Sequence, residues 1–136
     1  MNRRKRVLVV EDDETLRETI GDVMVDDGHE VRLAADGHEA LEQLAGWNAD
    51  VVILDLMMPR MDAYAFRDRH LQTPAGRSAK VLIVSAATDI AAAADRLGAA
   101  AWLAKPFTLD DMVDTVNGLL HGDPPFRPNG GTVFAF

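Results

Sequence analysis

Residues 7–13 read VLVVEDD, so four apolar residues run directly into three carboxylates. A short, continuous run rich in valine is typical of a strand that is buried on both faces, as in a parallel sheet. The acidic residues would then lie just beyond the carboxyl end of that strand, which is where open α/β sheets bind their ligands. The stretch therefore predicts a class of sheet and also the position of a polar site.

Further apolar runs continue this pattern along the chain, and amphipathic stretches separate them. The predicted strands cover residues 7–10, 30–34, 51–54, 81–84 and 100–103. The predicted helices carry residues 16–24, 36–46, 64–71, 89–97 and 108–120, and residues 73–79 are predicted as a loop. Strict alternation of strand and helix predicts an α/β fold with a parallel sheet that is covered by helices on both faces.

The composition restricts the kinds of site that the chain can form. The length of 136 residues fits one domain over residues 1–121, followed at 122–136 by a flexible Pro- and Gly-rich tail with no output domain. The absence of cysteine excludes disulfides and thiolate sites. The net charge of −8 argues against a nucleic-acid partner, and no apolar run approaches the ~20 residues that span a bilayer. We therefore expect a cytoplasmic protein that binds neither nucleic acid nor membrane.

Polar residues follow four of the predicted strands directly. They are Glu11, Asp12, Asp55, Ser85 and Lys105. Each has an ordinary structural interpretation when taken alone, because carboxylates often cap turns and lysines are usually solvated. Taken together, they would place three carboxylates, a hydroxyl and an ammonium group at one edge of the sheet. Carboxylates without clustered histidine or thiolate favour a hard cation such as Mg²⁺.

The four histidines do not share this pattern. None follows a predicted strand as a ligand would, and we expect all of them to be surface or helix residues without a role in the site. They are His29, His38, His70 and His121.

Four motifs follow one another along the chain: VLVVEDD at 7–13, DLMMPRMD at 55–62, SA at 85–86 and KPF at 105–107. In this order they resemble the receiver domains of bacterial two-component response regulators. The resemblance covers roughly residues 5–121. It implies a flavodoxin-like, doubly wound (βα)5 fold with five parallel strands in the order 2-1-3-4-5.

The resemblance also implies a role for each site residue. Asp55 would accept a phosphoryl group from the phosphohistidine of a sensor histidine kinase or a phosphotransfer protein. Lys105 would pair with Asp55 and then with the phosphoryl group, and Ser85 would turn its hydroxyl toward a phosphoryl oxygen. The Lys105-Pro106 bond is expected to be cis. The ligands of Mg²⁺ (or Mn²⁺) would be Asp12, Asp55, the main-chain carbonyl of Met57 and, through a water, Glu11.

The expected output is a change of surface on phosphorylation. Ser85 and Trp102 would be the switch residues, and the face built by the helix at 89–97, the fifth strand and the last helix would meet an unidentified output protein. Phosphorylation-dependent dimerisation is left open. Ala63 stands where the family prefers glycine, so a positive φ there would strain the turn.

Two alternatives remain. One is a receiver-like adaptor that works without phosphorylation. The other is a magnesium-dependent phosphatase that forms an aspartyl phosphate, but such enzymes carry a second aspartate two residues after the nucleophile, where this chain has Met57. The favoured interpretation is a signalling domain that catalyses only its own phosphorylation and dephosphorylation.

Overall fold

The computed structural model describes residues 4–57, 62–86 and 88–121, which form five strands and six helices. The strands are β1 (Arg6–Val10), β2 (Glu30–Ala34), β3 (Val51–Asp55), β4 (Lys80–Ser85) and β5 (Ala101–Ala104). The helices are α1 (Glu14–Asp26), α2 (Gly37–Leu44), α3 (Ala63–Leu71), α4 (Pro74–Ser78), α5 (Ile90–Leu97) and α6 (Leu109–His121). The tail predicted from Gly122 onward lies outside these residues. Within them, no helix combines the length and apolar character needed to cross a membrane.

The five strands form one parallel sheet in the order β2-β1-β3-β4-β5. Strand β1 pairs on both sides, so Val9 lies between Leu33 of β2 and Ile53 of β3. This arrangement confirms the flavodoxin-like, doubly wound fold that the sequence predicts. It also brings the carboxyl ends of β1, β3, β4 and β5 to one edge of the sheet.

Two apolar cores lie on opposite faces of the sheet, because successive side chains of a strand point to opposite sides. Leu8 and Val52 belong to the core that α2, α3 and α5 cover. Val9 and Ile53 belong to the core that α1 and α6 cover. Each central strand therefore contributes to both cores, which explains its unbroken apolar sequence.

Side-chain caps fix where four helices begin. Asp13 accepts a hydrogen bond from the N–H of Leu16, and Asp36 accepts one from Glu39. Asp62 caps α3 through Ala65, and Thr108 accepts from Asp111 at the start of α6. Ala63 follows Asp62 as the first residue of α3, so the strain that a positive φ would cause does not arise.

The prediction of a loop at residues 73–79 is wrong, because Pro74–Ser78 form the short helix α4. The hydroxyl of Thr73 accepts a hydrogen bond from the N–H of Gly76 at 2.9 Å, and Pro74 occupies the first helical position. Five residues are too few to show helical periodicity in the sequence. Gly76 also lies against His70, where a Cβ would collide with the His70 carbonyl oxygen.

The prediction that all four histidines are surface or helix residues is wrong for His29, which is only 7% exposed and precedes β2. His70 lies on α3 as a helix residue, but it is 3% exposed and its ring packs beside Phe66. Burial, together with the charge of Arg67, lowers the pKa of His70.

A tryptophan fixes the sheet edge opposite the carboxyl ends of the strands. Trp47 is 3% exposed, and its ring contacts both Arg6 and Arg32, whose guanidinium carbons are 5.6 and 4.8 Å from the ring centroid. Its indole N–H donates to a carboxylate oxygen of Glu30 at 2.6 Å. These contacts join β1 and β2 to the segment before β3.

Candidate functional site

Three carboxylates meet at the carboxyl edge of the sheet. Glu11 and Asp12 follow β1, and Asp55 ends β3. One carboxylate oxygen of each lies within 4.8 Å of the others. Glu11 and Asp55 are buried, whereas Asp12 is exposed. The structure thus brings together the acids that the sequence predicts for the site, and we call these three residues the acidic group.

Lys105 provides the positive charge at this edge. Its ammonium group donates to Glu11 Oε1 at 2.9 Å and lies 3.6 Å from Asp55 Oδ2. The N–H of Lys105 donates to the carbonyl of Ser85 at 2.9 Å, and the Lys105-Pro106 bond is cis, as predicted. The sequence interpretation paired Lys105 with Asp55 alone, so the closer contact with Glu11 is new.

The backbone of the first loop holds Glu11 in place. Its second carboxylate oxygen accepts the N–H of Asp13 at 3.1 Å, and its carbonyl accepts a guanidinium N–H of Arg17 at 2.9 Å. Sequence reasoning missed Arg17 as a positioning residue. A weak signal was present, because a cation near the N-terminus of a helix interacts unfavourably with the helix dipole.

The electrostatics of the acidic group are dominated by burial. The pKa of Asp55 is raised to about 7, chiefly by desolvation and also by the charge of Glu11, while the N–H of Met57 at 3.1 Å and the charge of Lys105 oppose the rise. Burial alone would lower the pKa of Lys105, but the hydrogen bond to Glu11 and the charge of Asp55 outweigh it, so that pKa is raised. The site therefore favours an additional positive charge.

The donor chemistry of the acidic group fits a hard divalent cation. Three carboxylates share one small volume, and a single ammonium group compensates them. The role of the main-chain carbonyl of Met57 as a further metal ligand stays a prediction.

The two residues predicted to switch lie on neighbouring strands. Ser85 ends β4, fully buried, and the residue before it, Val84, pairs with Asp55. Trp102 lies in β5, half-buried against the core on the α2, α3 and α5 side. Its indole N–H is buried and has no hydrogen-bond partner among the described residues. Their switching stays a prediction.

Comparison with known proteins assigns the family. The model of the response regulator receiver domain matches residues 7–117. The chain belongs to this family. Response regulator MprA of Mycolicibacterium vanbaalenii is 35% identical over 122 residues, which are 88% of this chain and 52% of that protein. The chain thus spans about half the length of the curated relatives it matches.

Solved receiver structures share the fold. The chemotaxis response regulator CheY4 of Vibrio cholerae superposes with a TM-score of 0.80 at 28% identity, over 86% of this chain and 99% of that one. The receiver domain of Francisella response regulator 1452 gives a TM-score of 0.76 at 28% identity, over 89% and 100%. The receiver architecture is thus common to all three chains, and this chain is a signalling domain of the two-component type.

Proposed function

We propose that this receiver domain is a phosphorylation-activated switch whose acceptor is Asp55. The phosphoryl donor is the phosphohistidine of a sensor histidine kinase or of a phosphotransfer protein. One observation carries the proposal: a buried carboxylate, two further acids and an ammonium group lie at one edge of the sheet. That edge is where a tetrahedral anion could be positioned and neutralised.

The chemical step follows from these positions. A carboxylate oxygen of Asp55 attacks the phosphorus of the phosphohistidine, a P–O bond forms, and the P–N bond breaks. The departing imidazole nitrogen keeps the electron pair of that bond and takes a proton, which leaves an acyl phosphate on Asp55. Lys105, already 3.6 Å from Asp55, would then pair with the new phosphoryl oxygens.

A divalent cation is part of the proposal. Mg²⁺ or Mn²⁺ would be held by Asp12, Asp55 and the Met57 carbonyl, with Glu11 acting through a water. When bound, the ion offsets the negative charge of the carboxylates and the phosphoryl group. Glu11 itself orients Lys105, because the two side chains are hydrogen-bonded at 2.9 Å.

The output surface lies beside the site. The hydroxyl of Ser85 would turn toward a phosphoryl oxygen, and the adjacent loop and Trp102 would follow. The surface that changes is then formed by α5, β5 and α6, where it meets an output protein. The domain catalyses its own phosphorylation and slow dephosphorylation and turns over no separate substrate.

Phosphorylation with a small donor tests the acceptor directly. Incubation with Mg²⁺ and a small phosphodonor should add one phosphoryl mass, and Asp55→Asn should abolish the gain. Asp68→Asn, an exposed carboxylate of α3, is the matched control and should be labelled like the wild type. A gain of phosphoryl mass in Asp55→Asn would refute the proposal, and so would the absence of any gain in the wild type.

The adaptor alternative makes the opposite prediction for binding. Once a partner is captured, its affinity should rise with phosphorylation of Asp55 if the switch is correct. An affinity that is unchanged by phosphorylation and by Asp55→Asn would favour the adaptor.

A further inference from the structure

A cavity of about 560 Å³ lies at the sheet edge opposite the acidic group. The start of β4 and the residues just before β5 form part of its wall, and α3, α4 and α5 contribute the remainder. Its charged lining residues are Arg67, Arg77, Lys80 and Asp95. Three cations against one carboxylate give the lining a net charge of +2, although the whole chain carries −8. A volume of this size suits a small organic ligand.

Arg67 is the unusual residue of this lining. It is only 8% exposed, yet no carboxylate pairs with it in the described part of the chain. Its guanidinium donates instead to three carbonyls, those of Leu97 at 3.0 Å, Gly76 at 3.4 Å and Gly98 at 3.5 Å. Buried charges are normally paired, because burying one alone is costly.

The guanidinium also has unused donors. It carries five N–H groups, and the three carbonyl contacts occupy three of them, two at long distance. Two N–H groups are left without a partner among residues 4–57, 62–86 and 88–121. The guanidinium of Arg67 can therefore donate hydrogen bonds to an anion and still keep its hydrogen bond to the carbonyl of Leu97.

Arg77 reinforces this position. It is exposed and donates to the carbonyl of Leu71 at 3.1 Å, so its side chain can turn toward a ligand at little cost. Lys80 also lines the cavity at the start of β4, but its ammonium group donates to the carbonyl of Leu119 at 3.0 Å, and Leu119 belongs to the core on the other face of the sheet.

We propose that this cavity binds a small phosphate-bearing anion through the buried guanidinium of Arg67, with Arg77 supplying additional positive charge. Guanidinium groups match phosphate oxygens in planar, bidentate pairs, which favours phosphate as the anionic group. A bound anion would bridge α3, α4 and the C-terminal end of α5. The site is independent of Asp55, which lies at the other edge of the sheet.

Titration of the metal-free protein with inorganic pyrophosphate tests the proposal, with sodium chloride adjusted to keep the ionic strength constant. Without a metal ion the acidic group repels the probe, so binding there does not interfere. Amide signals of residues 77–81 and 98–100 should shift and saturate. Asp55→Asn should bind pyrophosphate as the wild type does, which separates this proposal from the phosphoacceptor proposal.

Charge variants identify the cavity as the site. Arg77→Gln should weaken pyrophosphate binding by about two- to fivefold, and Asp95→Asn should strengthen it by a similar factor. Arg69→Gln removes the same charge from an exposed position of α3 outside the cavity and should have no such effect. Arg67→Gln should abolish binding, with its amide spectrum as the check of folding.

Three results would overturn the proposal. The first is a shift that does not saturate or that sodium chloride alone reproduces. The second is an equal loss of affinity in Arg69→Gln and Arg77→Gln, because the probe would then sense only the net charge. The third is unchanged affinity in both Arg77→Gln and Asp95→Asn, which decides the question even if Arg67→Gln does not fold.

Discussion

At the residue scale, Asp55 combines burial with a second acid beside it. A proton and a metal ion are therefore alternative ways to relieve the same negative charge. Lys105 does so only in part, because its shorter contact is with Glu11. Two predictions follow from the raised pKa of Asp55.

Metal affinity should depend on pH. The pKa of Asp55 is about 7, so the carboxyl group is protonated below that pH and a metal ion must displace the proton. We expect Mg²⁺ affinity to rise by up to about tenfold per pH unit below 7 and to level off above it. Calorimetric titrations between pH 5.5 and about 8.5 measure this. A flat profile would show that Asp55 is already ionised without metal.

Stability without metal should depend on pH in the opposite direction to metal affinity. A carboxyl whose pKa is raised from 3.8 to about 7 in the folded state binds its proton more tightly than in the unfolded chain. The free energy of unfolding should therefore fall as pH rises from about 4 to about 7. Asp55→Asn, which carries no charge, should be more stable than the wild type by roughly 1–3 kcal/mol at pH 8.

The same variant supplies its own control at low pH. At pH 5, Asp55 is neutral in the folded wild type but ionised in the unfolded chain, so the stability difference from Asp55→Asn should fall to less than about half of its value at pH 8. Urea unfolding at the two pH values measures it. A difference that is as large at pH 5 as at pH 8 would mean that the removed charge is not its cause.

At the element scale, α4 depends on one glycine. Gly76 lies against the backbone of His70, so a methyl group there would collide with the His70 carbonyl oxygen. Gly76→Ala should lower the free energy of unfolding by about 1–3 kcal/mol. Ser78→Ala, in the same helix and exposed, should change it by less than about 0.5 kcal/mol. Equal effects in urea unfolding would contradict the collision.

The elements differ in how well the sequence predicts them. Strands β1, β3 and β4 and the caps Asp36 and Thr108 were predictable, because burial on two faces and capping leave local patterns. Helix α4 was not, since its stability depends on Thr73 and on contact with α3, which lie outside its five residues. The burial of His29 likewise comes from packing that no local pattern records.

The sequence predicts which residues form the candidate site, but not which carboxylate pairs most closely with Lys105. Topology alone puts Glu11, Asp55 and Lys105 at one edge of the sheet. Which carboxylate takes the shorter bond to Lys105 depends on side-chain positions that strand patterns do not encode. The cavity around Arg67 was missed for a similar reason, because its cations come from three different elements.

At the scale of the whole molecule, the two tryptophans report on different parts of the sheet. Trp47 contacts two arginines at the end of the sheet away from the acidic group. Trp102 lies in β5, half-buried and without a partner for its N–H in the described residues. Movement that starts at Asp55 should therefore reach Trp102 and leave Trp47 unchanged.

Beryllofluoride, a phosphoryl mimic, tests this with fluorescence. Addition with Mg²⁺ should change the emission of the wild type and of Trp47→Phe, and Trp102→Phe should lose the response. Circular dichroism checks that both variants are folded. A response that survives in Trp102→Phe and vanishes in Trp47→Phe would show that the movement runs toward the other edge.

The contact between Lys105 and Glu11 joins residues that are 94 positions apart. During translation, the carboxylates of the acidic group are synthesised before Lys105. The ammonium group that contacts Glu11 is therefore missing until the segment after β5 has been synthesised and packed onto the sheet. The geometry of the proposed acceptor site is therefore complete only when translation of the domain is nearly finished. On the proposed function, an unfinished copy would not compete with mature molecules for a phosphoryl donor.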